Sequence, residues 1–209
     1  MKNISNLYLI IGLFVGSLLT LLLTINVVNN NNYGMMQMMG IRRGNDTSSI
    51  TSAIDKHFIE QMIPHHEGAI EMAKLAQIRS KNTNILNLAE AIIKSQSDEI
   101  IQMKGWYKDW YKAEVPVDSA VGMGMGRGMM QGGMMGGSTS DIDSLKNATD
   151  FDTAFFKEMI PHHQMAVMMA QMLLSGTNRP EMKILGQNII VAQEKEINEM
   201  RSWLEGGTL

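Results

Sequence analysis

Apolar residues recur at three- and four-residue steps in four stretches of this chain, which is the spacing of one face of an α-helix. Phe58, Met62, His65 or His66, Ala69, Met72 and Ala76 mark the first stretch, and Ile85, Leu88, Ile92 and Gln96 mark the second. The other two stretches repeat them. DKHFIEQMIPHHEGAIEMAKLA, starting at Asp55, returns as DTAFFKEMIPHHQMAVMMAQML, starting at Asp152, an offset of 97 residues. At the same offset, Gln96, Glu99, Ile100, Met103 and Trp106 become Gln193, Glu196, Ile197, Met200 and Trp203, with no gap inside either copy. The repeating unit is therefore a helical hairpin of fixed loop length. The polar connections, Arg79 to Asn84 and Ser175 to Glu181, are short enough for antiparallel neighbours.

Local signals refine these helices. Asp55 and Asp152 occupy places where an N-cap or a first-turn acid would stabilise a helix start. Pro64 and Pro161 interrupt the first helix of each copy, where the ring removes an N–H and clashes with the preceding turn. The spacing predicts a kink there, or else a helix that begins at the proline.

Three other segments have a different character. From Leu7 to Val28 the chain is uncharged and almost wholly apolar, long enough for a bilayer core, with no small-residue cleavage site before Asn29. Residues 1–28 are thus expected to be an uncleaved membrane anchor, or a signal that releases a secreted protein if cut. Residues 29–49 form a Met/Asn-rich linker; 50–113 and 149–209 are the two hairpins; 114–148, with GMGMGRGMMQGGMMGG, is a Gly/Met-rich linker. A hairpin of roughly sixty residues buries too little surface for comfortable stability alone, so the two are expected to share one core as a four-helix bundle, all-α in class.

The net charge of -3, with acids and bases interspersed, leaves no basic stripe for nucleic acid. The chain has no Cys, which excludes disulfides and thiolate metal sites, and it has 21 Met. Four of the five histidines fall in two identical MIPHH contexts. Adjacent helical residues diverge by about 100°, so His65 with His66, and His162 with His163, flank a ligand from two directions. Met62 and Met72, and in the second copy Met159 and Met169, share the histidine face, while Met103 and Met200 reach the same layer from the partner helix. Imidazole with thioether is a donor set for copper, Cu(I) in preference to Cu(II), whereas Mg and Ca want oxygen and structural Zn wants Cys or more His. Each methionine also reads as core filler, since Met fits irregular gaps. Glu99 and Glu196 either orient a histidine or face solvent. Trp106 and Trp203 read as apolar lids, and His57, opposite Ala154 in the other copy, as a surface residue. In the linker, Met123, Met125, Met129, Met130, Met134 and Met135 bury nothing and are candidates for collecting Cu(I) on a flexible arm, or for absorbing oxidants.

The motif M-I-P-H-H-x-x-A-[IV]-x-M-A followed by Q-x-x-E-I-x-x-M-x-x-W resembles the DUF305 family. It spans Met62 to Ala73 with Gln96 to Trp106, and Met159 to Ala170 with Gln193 to Trp203. That resemblance implies a ferritin-like four-helix bundle and copper binding through His and Met, as in exported members of the family. Gly68, where the second copy has Met165, departs from the repeat and would leave the first site less enclosed. The expected role is non-catalytic: copper bound outside the membrane, for sequestration, resistance or transfer to a copper-transfer protein. The alternatives are a ferritin-like metal-dependent oxidase and a structural helical module. Against the oxidase, the Glu-x-x-His spacing of di-metal bundles is absent: Glu158 and His162 are four apart, and Gln61 stands in place of that glutamate in the first copy.

Overall fold

The computed structural model describes residues 47–116 and 139–206, which fall within one compact unit. Among them are five helices and no strand: α1 (Thr47–Arg79), α2 (Thr83–Tyr111), α3 (Thr139–Asn147), α4 (Phe151–Gly176) and α5 (Pro180–Gly206). The expected membrane span and the methionine tract from Met123 to Met135 lie outside the described residues. Among the described residues, no helix is long and apolar enough to cross a membrane.

The two hairpins are α1 with α2 and α4 with α5, and α1 packs on α4 between them. Each turn is three residues long, so the helices of a hairpin run back along one another. Asn82 opens α2 by accepting from the backbone N–H of Asn84, and Asp150 opens α4 by accepting from that of Thr153. Such caps satisfy backbone donors that a helix start leaves unpaired. Both prolines lie inside continuous helices. A helix beginning at the proline is thereby excluded.

One apolar core serves both repeats. Ala69, Met72, Ala73 and Ala76 of α1 and Ile85, Leu88, Ala89 and Ile92 of α2 share a cluster with Phe151, Phe155, Phe156 and Met159 of α4 and Met200 of α5. Trp203 closes it against Phe156, with ring centroids 5.8 Å apart. The short helix α3 adds buried Ile142 and Leu145 to this cluster. Its sequence lies at the end of the Gly/Met-rich stretch, where composition masks a two-residue apolar signal. Arg79 holds it in place by donating to the carbonyls of Lys146 and Ala148.

Asp55 departs from its expected place. It is the ninth residue of α1 rather than a cap, and it is fully buried. Its partner is Arg179 in the α4–α5 turn, Nε to Oδ2 3.2 Å, and that guanidinium lies 4.1 Å from the Trp110 ring. Burial raises the Asp55 carboxyl above its usual range, while Thr177 and Arg179 pull it back. A carboxyl raised in the folded state costs stability as pH climbs through its titration, and Arg179 offsets that cost. Replacing Arg179 with Met is expected to destabilise the protein by about 2 kcal/mol at pH 7, short of the loss from a fully enclosed pair because Arg179 is partly exposed. The loss should be smaller at pH 4, in the direction in which the raised Asp55 carboxyl takes up its proton. Urea unfolding at the two pH values checks this; an equal loss at both would remove the ion pair as its cause.

Candidate metal centre

The four histidines of the repeats meet at the middle of the bundle. His65 on α1 and His162 on α4 stack across the seam between the hairpins, with ring centroids 3.7 Å apart and planes tilted by 40°. Each also lies beside its sequence neighbour: His65 to His66 is 6.4 Å between centroids and His162 to His163 is 6.2 Å. The divergence of adjacent helical residues explains the division of labour. One imidazole of each pair faces the opposite hairpin and the other faces its own second helix.

That second helix supplies a carboxylate. His66 Nε2 lies 2.6 Å from Glu99 Oε2, and His163 Nε2 lies 2.6 Å from Glu196 Oε2, both across 33 residues of sequence. Glu99 and Glu196 therefore orient histidines rather than face solvent. A carboxylate only accepts, so Nε2 carries the proton, and in a neutral imidazole the lone pair is then on Nδ1. Nothing accepts from or donates to that nitrogen in either copy.

The remaining ring nitrogens are equally alone. Both nitrogens of His65 and both of His162 are sealed from solvent without a hydrogen-bond partner, as are Nδ1 of His66 and Nδ1 of His163. Six of the eight ring nitrogens are thus unpaired. A buried unpaired polar group costs about 1–3 kcal/mol, and native proteins rarely accumulate several in one place. Burial, then the neighbouring imidazoles of His66 and His163, lowers His65 to about 3. The same causes, burial first and then His65, His163 and His66, hold His162 well below the usual imidazole range. Both rings are neutral donors at any ordinary pH. The side-chain oxygens of Gln96 and Gln193, one turn before the glutamates, are also buried and unpartnered. The inward period that Gln96 shares with Ile85, Leu88 and Ile92 is the signal in the sequence for their burial, while the lack of a partner has no local signature.

The methionines divide into sets. Met62, Met103, Met159 and Met200 are fully buried and Met72 nearly so, whereas Met169 is half-buried. Met72 of the first repeat shares its apolar cluster with Met159 and Met200 of the second. Met72 thus also joins a layer that crosses from one repeat to the other. Helical periodicity names the inward face but not the helix that meets it. Packing alone accounts for the burial of these three. The two copies also differ in enclosure: His162 is fully buried and His65, though its nitrogens are sealed, is only partly so. His57 is half-buried, with Nδ1 sealed and unpartnered, so it is not the simple surface residue expected. Among the described residues, no group of three or more His, Cys, Asp or Glu side chains is arranged to hold a metal ion.

Comparison with known proteins places this geometry in context. The model of the family described as Domain of unknown function (DUF305) matches residues 55–204. CopM in its Cu(II)-bound form is 44% identical, with a TM-score of 0.63 over 73% of this chain and 96% of that one. CopM in its Cu(I)-bound form is 41% identical, with a TM-score of 0.61 over the same shares. A DUF305 fragment from Deinococcus radiodurans is 28% identical, with a TM-score of 0.61 over 75% of this chain and 97% of that one. An uncharacterised protein of Acanthamoeba polyphaga mimivirus is 43% identical over 54 residues, which are 26% of this chain and 36% of that protein. The chain therefore spans about a third of the length of that curated relative.

Proposed function

Since the chain belongs to the DUF305 family, we propose that its paired histidines bind copper, Cu(I) in preference to Cu(II), on the outer side of a membrane, for sequestration or for transfer to a partner. The observation that carries this reading is the cluster of six buried, unpartnered imidazole nitrogens at the centre of the bundle. Imidazole suits copper among the biological metals, and a neutral, water-excluded site favours the ion of lower charge. Copper-bound and silver-bound CopM are among the similar solved structures, which supports soft-metal binding.

Each chain element has a stated part. His65 and His162 face each other across the seam and offer lone pairs from both hairpins. His66 and His163 offer Nδ1, with Glu99 and Glu196 fixing the tautomer. Met62 and Met103, fully buried, are thioether candidates beside them. Copper is cargo here, and nothing in the arrangement is assigned to catalysis. Residues 7–28 would hold the bundle at the membrane, with the methionine tract as a collecting arm.

X-ray absorption at the copper edge of the Cu(I)-loaded full chain tests the ligand set. Imidazole scattering should be present and should disappear when the four histidines are replaced. A sulfur-only shell in the unaltered protein would overturn the histidine assignment and move copper to the methionine tracts.

A further inference from the structure

The two repeats share many core positions, though Phe156 replaces Ile59 and Leu173 replaces Ala76, and some of their differences change donor chemistry as well as size. Four departures fall on one stretch of the seam between α1 and α4. His57 stands opposite Ala154 in the repeat, Met165 opposite Gly68, Met168 opposite Glu71 and Met172 opposite Leu75. Every one of them introduces a soft or borderline metal donor. Packing shared by the two copies does not require any of these donors, because the other copy manages with Ala, Gly, Glu and Leu.

The register of the seam brings the departures together. His65 lies on His162, and Ile54 packs where a Cβ on Gly176 would collide with its Cδ1. These two crossings make α1 and α4 antiparallel and set the turn of α1 that carries His57 beside the turn of α4 that carries Met169 and Met172. On α4, Met165, Met168, Met169 and Met172 follow steps of three and four residues, so they form one stripe. Met168 is 37% exposed and the others are half-buried. His57 supplies Nδ1, buried and without a partner, and burial lowers its affinity for a proton. At the pseudo-symmetric end of the same seam the corresponding residues are Ala154, Glu71, Met72 and Leu75, which offer no comparable set.

We propose that His57, Met169 and Met172, with Met168 at the solvent edge, form a second soft-metal site for Cu(I) or Ag(I) on the outer seam of α1 and α4. It is distinct from the four-histidine centre, and the stripe through Met165 leads from it toward His162. The proposal rests on the copper reading above. A thioether stripe that meets solvent at Met168 and reaches the turn after His162 through Met165 has the form of a loading station for the buried centre.

The test is an Ag(I) titration of the full chain carrying 13C-methyl methionine, read by NMR. Beyond the ions taken by the four-histidine centre, the methyl signals of Met169 and Met172 and the ring signals of His57 should move together. His57→Ala should weaken that response by about tenfold or more, as loss of a direct ligand must exceed loss of a group behind one. In the variant with His65, His66, His162 and His163 all replaced by Ala, the response should persist. If the unaltered chain binds Ag(I) while Met169, Met172 and His57 stay still, or if His57→Ala leaves the methyl response unchanged, the second site is overturned and the central one stands. If the unaltered chain takes up no Ag(I), both readings fall. The methyl signals of the unaltered chain decide the matter even if a variant fails to fold.

Discussion

Replacing His65, His66, His162 and His163 with Ala is expected to weaken the tightest Cu(I) binding by about a thousandfold, or about 4 kcal/mol. The size follows from what is removed. Loss of a group that merely orients a ligand costs about 10–100-fold in affinity, and Glu99→Gln with Glu196→Gln should fall in that range. Loss of the ligands themselves must cost more. A weaker pool should survive on the linker methionines, because the chain entropy that a Gly-rich tract loses on binding lowers its affinity per donor. Deleting residues 122–137 should do the opposite, lowering Cu(I) capacity while sparing the tightest dissociation constant. Competition with a Cu(I) chelator under reducing conditions distinguishes the two variants. If the linker deletion, and not the histidine replacement, removed the tightest site, function would belong to the arms.

The second large effect concerns folding. Residues 50–113 alone should show no cooperative thermal transition as a monomer, a complete loss rather than a shift. In the whole protein the cluster around Ile85, Leu88 and Met72 is completed by Phe155, Phe156, Met159 and Met200 from the other repeat. The isolated hairpin would expose that face, together with the buried Asp55, stripped of Arg179. A helical hairpin of this size has too little remaining core to offset its chain entropy. Circular dichroism against temperature at low protein concentration checks this. A sharp, concentration-independent transition would show that each repeat carries its own core.

Much of this architecture is legible in the chain. The gapless repeat fixes the two hairpins, and the 3.6-residue period places Phe58, Ile85, Leu88, Ile92 and Gln96 inward, as found. The duplicated MIPHH turns mark the centre, and Glu99 and Glu196 are identified as alternatives that geometry then resolves. What period and repeat do not carry is which faces meet. The stacking of His65 on His162 and the crosswise association of Met72 with Met159 and Met200 arise from antiparallel packing of two hairpins, a tertiary choice with no local signature. Asp55 looked like a cap because the acid precedes the periodic run, but the helix extends eight residues upstream of it and the carboxylate is spent on a distant arginine. The helix α3 escaped because only Ile142 and Leu145 anchor it, at the edge of a glycine-rich tract.

The most direct test of soft-metal binding at the buried histidine centre is the affinity of the full chain for Cu(I) against Zn(II), measured by chelator competition at neutral pH. Buried imidazoles with thioethers, and among the described residues no group of three or more His, Cys, Asp or Glu side chains arranged as a tetrahedral zinc site, should hold Cu(I) at least about a thousandfold more tightly than Zn(II). Comparable affinities would contradict this and point to a His/carboxylate zinc site instead.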